Sequence, residues 1–228
     1  MLNTYSKFED ILQRGQHAVE KGTILKSEGD ETHARLYVAE GWLAASKSLE
    51  DGHQQIIEFI LPGETFDPTA SDGKTSFVQV EALCDAVIAP IDQTAWAQWI
   101  HEDPTLRKVI RLRDVAAQAR QSERMLRLGR ASAETRIAYV LIELCMRVSG
   151  DASECNATFY VPLTQQQIGD FTGLSSVHVC RTLRRLNRAG VIKTGEHMCI
   201  LIKNQPALAQ IAQIDIDVLR DEIAADAA

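Results

Sequence analysis

The residues with the most chemical content lie between Leu163 and Leu186. Thr164 is followed three positions later by Gln167, the spacing of a capping box, in which each side chain satisfies a free backbone N–H at the start of a helix. Gly169 offers a side-chain-free spot where a second helix could cross closely, and Gly173 supplies a permissive turn. Ser175 can then cap a second helix through its hydroxyl. On that helix Val179, Leu183 and Leu186 fall on one face suited to a core, whereas Ser176, Val177, Cys180, Arg181 and Arg184 point the other way. Such an outward set can read base edges in a major groove: an arginine at 181 can pair bidentately with guanine O6 and N7, and a valine at 177 can meet a thymine methyl. Together with Thr164, Gln165, Gln166, Ser175 and His178 near the helix starts, these are the candidate DNA contacts.

Two short helices joined by a glycine turn also occur in plain helical bundles, so the flanking sequence matters. Asn187 to Lys193 ends the second helix at Gly190 and enters a strand; Thr194-Gly195-Glu196-His197 then turns into Met198 to Ile202, the pattern of a β-hairpin wing. Residues 161–203 hold 6 basic and 2 acidic groups, the arginines clustering on the second helix. A winged helix-turn-helix that neutralises phosphates and makes a few base contacts fits this segment. The rival reading is a dimeric ligand-binding or scaffolding protein whose winged helix contacts protein rather than DNA.

The elements that must carry this segment can be read outward from it. A helix is predicted from Glu134 to Arg147, then a loop from Ser149 to Ala157 and a strand from Phe159 to Val161. Further upstream, Asp103 before Pro104 is the start signal of a long helix that reaches about Leu128 before Gly129 stops it. Val109, Leu112, Ala116, Ala119, Glu123 and Leu126 recur in a 3,4 alternation along it, a narrow seam suited to dimerisation, while Arg107, Arg111, Arg113, Arg120, Arg124 and Arg127 crowd the other faces. The alternative is an ordinary core helix of a monomer. Seven of the thirteen glycines lie before residue 104, several in turn dipeptides. The segments between them, Thr23–Leu25, Arg35–Val38, Gln55–Ile60, Phe77–Val80 and Ala86–Ile88, read as short strands of an antiparallel sandwich or small barrel, preceded by a helix around Lys7 to Arg14.

Composition bounds the function. The 228 residues are 45% hydrophobic and 24% charged, which suits one large or two ordinary globular domains. No apolar run approaches the ~20 residues of a membrane span and the first residues lack a signal-peptide pattern, so the expected location is the cytoplasm and no membrane partner is expected. Five cysteines without a C-x-x-C pair argue against a disulfide framework or a closed zinc site. The net charge of −7 conceals an asymmetry. Residues 1–103 hold 7 basic and 18 acidic groups, residues 104–204 hold 16 and 8, and the tail holds only Arg220 against five acids. A basic stretch of +8 between acidic parts is the footprint of a polyanion-binding module. No nucleophile motif, metal spacing, paired carboxylates or phosphate loop indicates an enzyme.

Taken together, these features resemble the Crp/Fnr family of bacterial transcription regulators. The resemblance runs from about residue 15 to 204, and its most specific part is Leu163 to Ile192. It implies an α+β architecture with an N-terminal β-roll of the cyclic-nucleotide-binding jelly-roll kind (1–103), a long dimerisation helix (104–131), a C-terminal winged helix-turn-helix (132–206) and an acidic tail (207–228). It also implies a homodimer on an inverted-repeat double-stranded DNA operator, with RNA polymerase as a further partner. Gly173 to Arg181 resembles the subgroup whose recognition helix reads V-H-V-N-R, with Cys180 in place of the asparagine and Arg181 at the guanine-reading position. Val177 replaces the glutamate that many members carry, so the usual half-site is not expected.

The sensor half departs further. Gly63-Glu64 aligns with the pair that binds ribose in cyclic-AMP-binding members, but Lys74-Thr75 stands where an Arg-Ser pair would hold the cyclic phosphate, and Pro68 replaces a glutamate. Lysine lacks the bidentate fork of arginine, which argues against cyclic AMP. No cysteine precedes Cys84, which argues against an iron–sulfur cluster. Haem is left open by His17, His33, His53 and His101; the effector is otherwise unknown, and a regulator without one, set by its own abundance, fits the sequence equally well. Cys180, beside Arg181 near a helix N-terminus, reads either as a small neutral spacer or as an oxidisable thiol.

Overall fold

A computed structural model of the chain describes residue 12 and residues 15–149, 158–195 and 199–223. Apart from Leu12, the expected helix around Lys7 to Arg14 lies outside the described residues, as do most of the loop from Ser149 to Ala157 and Glu196, His197 and Met198 of the wing. The chain divides into two compact units, one ending at Lys108 and one beginning at Val109.

Among its described residues the first unit has eight strands: β1 (His17–Val19), β2 (Ile24–Lys26), β3 (Ala34–Glu40), β4 (Leu43–Ser48), β5 (Gln54–Ile60), β6 (Thr65–Phe66), β7 (Gln79–Ala82) and β8 (Ala86–Asp92). They form two four-stranded antiparallel sheets, ordered β1-β8-β3-β6 and β2-β7-β4-β5. The core lies among the buried side chains of Leu36, Val38, Leu43, Ile60, Val80 and Ile88. Alternation places them there: β3 buries Leu36 and Val38 and leaves the residues between more open, as a strand with one covered face must. Gly41, in the tight connection from β3 to β4, has φ +79°, and a Cβ there would sit 2.6 Å from the Asp85 carbonyl oxygen, so no larger residue fits. Strand β4 was not expected; Ala44 and Ala45 give it low strand propensity, yet it is a central strand between β7 and β5.

Helix α1 (Gln93–Glu102) follows, capped by Asp92, whose carboxylate accepts from the backbone N–H groups of Thr94 and Ala95. Helix α2 (Pro104–Arg130) begins as predicted, with Asp103 accepting from Thr105 and Leu106. It passes through Gly129 rather than stopping there, since glycine close to a helix end costs little that neighbouring hydrogen bonds cannot offset. Leu112 (37% exposed), Val115 (55%) and Leu126 (57%) form an open apolar stripe on α2. Ala119 and Val109 are half-buried, while Ala116 is covered within the monomer.

In the second unit, α3 (Ala133–Ser149) is buried continuously from Ile137 to Met146 and forms the central post. Around it stand α4 (Gln165–Thr172), α5 (Ser176–Arg188) and the three-stranded sheet β10-β11-β9 (Ile192–Thr194, Cys199–Ile202, Thr158–Tyr160). Ile192 pairs with Ile202 and Ile200 with Phe159 in this antiparallel sheet. The segment expected to be only an acidic tail instead forms two short helices, α6 (Gln205–Ala212) and α7 (Ile216–Ile223). Leu208, Ala212, Leu219 and Ile223 are buried on them at helical spacing, which sorts the acidic residues to the outside.

Candidate nucleic-acid interface

The two helices of the motif are fixed by the residues that suggested them. The Thr164 hydroxyl accepts from the Gln167 backbone N–H at 3.1 Å and the Gln167 side-chain amide oxygen accepts from the Thr164 backbone N–H at 2.8 Å, completing the capping box. At the other end of α4, Gly173 adopts the left-handed conformation (φ 66°) and the Leu174 N–H donates to the Gly169 carbonyl at 3.0 Å. Gly169 is required for a reason different from the one expected. A Cβ there would lie 2.3 Å from the Leu174 carbonyl oxygen, so it accommodates the turn's own backbone rather than a crossing helix. Ser175 caps α5 by accepting from the His178 N–H at 3.3 Å.

Helix α5 buries Val179, Leu183 and Leu186, together with Thr182. Val177 is 57% exposed; His178, Arg181 and Arg184 are exposed, and Ser176 and Cys180 are half-buried at the rim. Arg181 and Arg184 make no hydrogen bond or ion pair among the described residues, so their donors face outward uncommitted. Arg185 differs: although on the same helix, it is engaged by Glu134 of α3. Thr164 and Gln166 are exposed and Gln165 is half-buried at the start of α4, where Gln166 donates to the Asp170 carboxylate at 2.7 Å. Burial raises the Asp170 carboxyl above its ordinary range, only partly offset by that hydrogen bond.

The candidate effector residues of the β-roll are largely occupied by one another. The Glu64 carboxylate accepts from the Leu61 N–H at 3.0 Å, and the N–H of Gly63 (φ +83°) donates to Val38. The Thr75 hydroxyl donates to Asp72 at 2.7 Å, and the backbone N–H groups of Lys74 and Thr75 donate to the same carboxylate. These bonds hold the Asp72 carboxyl down to about 2. Asp67 is taken by Arg35 at 3.2 Å, and that guanidinium lies 4.7 Å over the Trp96 ring. A cyclic phosphate would need a converging guanidinium and a free hydroxyl; an exposed Lys74 and a committed Thr75 do not supply them. His17, His33, His53 and His101 all lie on the surface, and no group of three His, Cys, Asp or Glu suited to a metal occurs among the described residues.

A β-roll followed by a long helix and a winged helix-turn-helix with an open basic recognition helix defines a DNA-binding regulator with a sensor-type domain. Comparison with known proteins agrees in both halves: a cyclic nucleotide-binding domain model matches residues 16–103 and a Crp-like helix-turn-helix domain model matches residues 135–211. The nitrogen fixation regulation protein FixK of Bradyrhizobium diazoefficiens is 30% identical over 174 residues, covering 75% of this chain and 71% of that protein. The transcriptional activator protein FnrA of Stutzerimonas stutzeri is 28% identical over 200 residues, covering 85% and 79%. Among solved structures, that of FixK2 from Bradyrhizobium japonicum superposes with a TM-score of 0.76 at 23% identity, covering 88% of this chain and 98% of that one. The chain belongs to the Crp/Fnr family of transcription regulators; it is a DNA-binding protein and not an enzyme.

Two features of the site were not anticipated. One is the Arg185–Glu134 pair; the other is the burial of Arg120, Arg124 and Arg127, which the seam reading placed only on the other faces of the long helix. A signal for the second was present: Glu143 interrupts the apolar run from Ile137 to Met146, and a carboxylate in such a run calls for buried cations.

Proposed function

We propose that the protein binds an inverted-repeat operator as a homodimer, with the α5 helices of two protomers entering successive major grooves about 34 Å apart. The observation that carries this reading is the state of Arg181. It projects from a helix capped by Ser175 and anchored by Val179, Leu183 and Leu186, and its five donors are uncommitted. Arg181 then reads a guanine in each half-site, Val177 packs against a neighbouring base and Arg184 neutralises phosphate. Thr164, Gln165 and Gln166 at the start of α4, and Ser175, Ser176, His178 and Cys180 at the start of α5, line the remaining contact edge. The dimer forms along α2, residues 104–131 serving as its helix, residues 1–103 as sensor and 132–206 as DNA-binding module. The protein works in the cytoplasm, and RNA polymerase is its partner at the promoter.

A signal received by the β-roll acts by favouring one of two arrangements of the dimer. The internal engagement of Glu64 and Thr75, with the exposed Lys74 beside Asp72 in place of a guanidinium, speaks against a cyclic nucleotide held in the manner of the cyclic-AMP-binding members.

Selection of bound sequences from a random DNA pool tests the reading directly. An inverted repeat with half-site centres one helical turn apart is expected. The Arg181→Ala variant, with its fold intact, should lose roughly 10–100-fold in preference at one guanine of each half-site. Unchanged discrimination between the selected operator and random duplex would overturn the assignment of Arg181. Weak salt dependence of binding would favour a protein-contacting winged helix instead.

A further inference from the structure

Arg120, Arg124 and Arg127 are all buried on the final turns of α2, their spacing placing them on one face of that helix. A buried guanidinium is costly unless paired, and the pairing here involves four elements. Glu143 of α3 has no exposed surface. One of its carboxylate oxygens accepts from Arg147 at 3.2 Å and lies 3.8 Å from Arg124 and 3.9 Å from Arg120. Arg124 stacks 4.8 Å over the Phe171 ring of α4, and Arg127 lies 4.0 Å over the Tyr139 ring of α3. Arg127 also donates to the carbonyl of Ala212, the last residue of α6, at 3.4 Å. Arg136 donates to Thr172, the last residue of α4, at 3.2 Å and to Ala131, just beyond α2, at 3.1 Å. The C-terminus of α6 therefore meets Arg127 and those of α2 and α4 meet Arg136, and these negative dipole ends favour the guanidiniums there.

Stability does not require such an arrangement, since well-packed apolar side chains of the same volume serve as well or better. What the charged cluster adds is direction. An apolar contact between α2 and α3 could slide or rotate with small loss, whereas planar guanidiniums committed to Glu143, to Glu123 of α2 itself, to two ring faces and to helix-end carbonyls admit one alignment. We propose that this cluster is the joint that fixes the angle between the long helix and the recognition helix. Glu143, Arg124 and Arg127 are then positioning residues for DNA recognition: buried, and carried on α2 and α3 rather than on α5, they set the separation of the two recognition helices. The inference rests on the dimeric operator reading given above.

The test compares the full-length protein with Glu143→Gln and Arg127→Met on three duplexes: the selected inverted repeat, the same repeat with two base pairs inserted between half-sites, and a single half-site. In wild type the correctly spaced repeat should be strongly preferred. In the variants, half-site affinity should stay within about twofold while the preference for correct spacing falls roughly tenfold or more, the size expected from losing one charge-assisted bond of the network. Circular dichroism and thermal melting verify the fold, and Arg127→Met, which removes no carboxylate from the cluster, carries the test if Glu143→Gln does not fold. A folded variant that keeps the wild-type spacing preference overturns the joint. A wild-type protein that binds the half-site and the repeat alike overturns the dimeric reading instead.

Discussion

Arg185 and Glu134 form a two-point ion pair: the arginine Nε donates to one carboxylate oxygen at 2.9 Å and Nη2 to the other at 2.7 Å. The pair ties the recognition helix to the first turn of α3 and takes out of play an arginine that charge counting would assign to DNA. Its guanidinium side is 62% exposed, so its contribution to stability is small, about 0–1 kcal/mol. Its effect should appear in binding. Glu134→Gln releases Arg185 toward the phosphates, so non-specific DNA affinity should rise and the slope of log affinity against log salt should steepen by about 0.9 per added contact. Arg185→Gln should leave that slope where it is in wild type. A shallower slope in Arg185→Gln would mean that Arg185 already exchanges Glu134 for phosphate on DNA.

Gly169 and the Leu174 carbonyl set the geometry of the turn. Gly169→Ala forces a Cβ to within 2.3 Å of a backbone oxygen, which cannot move away as a flexible side chain could. A loss of about 1–3 kcal/mol or more in chemical denaturation is expected, as for overpacked cores. Specific DNA binding should weaken along with it, because the angle between α4 and α5 must open. Gly129→Ala is the control: nothing lies within 4 Å of its Cβ position, and alanine there should stabilise α2 by up to about 1 kcal/mol. Equal stability of the two variants would contradict the steric reading.

Local signals were strong where capping and turn chemistry set the structure. Thr164, Gln167, Gly173 and Ser175 each do in the fold what their types announce, and Asp103-Pro104 starts α2 as read. The sequence was least legible where tertiary contacts choose among equal local options. Leu112, Ala119 and Leu126 are seven apart and fit two seams; only packing shows that Val115 is open while Ala116 is covered. Strand β4 is hidden because Ala44 and Ala45 have little strand preference of their own and are held by pairing on both sides. The commitments of Glu64 and Thr75 are likewise invisible in sequence, since a carboxylate or hydroxyl can serve a ligand or its own loop with identical spacing.

Asp170 gives the DNA-binding module a pH dependence of defined sign. Its carboxyl is raised by burial from the ordinary value of 3.8, so the folded state holds the proton more tightly than the unfolded chain. The stabilisation from protonation is complete below pH 3.8 and is lost as pH rises through the folded-state value. At neutral pH the ionised, half-buried side chain is therefore a burden. Asp170→Asn keeps an acceptor for Gln166 and removes the buried charge, so the melting temperature at pH 7 should rise and the gap between variant and wild type should narrow as pH falls toward 4. A variant less stable than wild type at pH 7 would indicate that the carboxylate has a favourable charged partner in solution.

The open stripe on α2 predicts where the dimer can be broken. Leu112, Val115 and Leu126 are 37%, 55% and 57% exposed, an amount of apolar surface that a monomer gains nothing by showing. Burying one such side chain contributes about 1.5–3 kcal/mol, and in a symmetric dimer each position counts twice. Leu126→Glu and Val115→Glu should each weaken dimerisation by roughly 100-fold or more by that bookkeeping, read from sedimentation over a concentration series. Gln121→Glu, exposed on the same helix but away from the stripe, should leave it unchanged. Affinity for the inverted repeat should fall in step with dimerisation, whereas affinity for a single half-site should not. Dimers that persist in both stripe variants would move the interface off this face of α2.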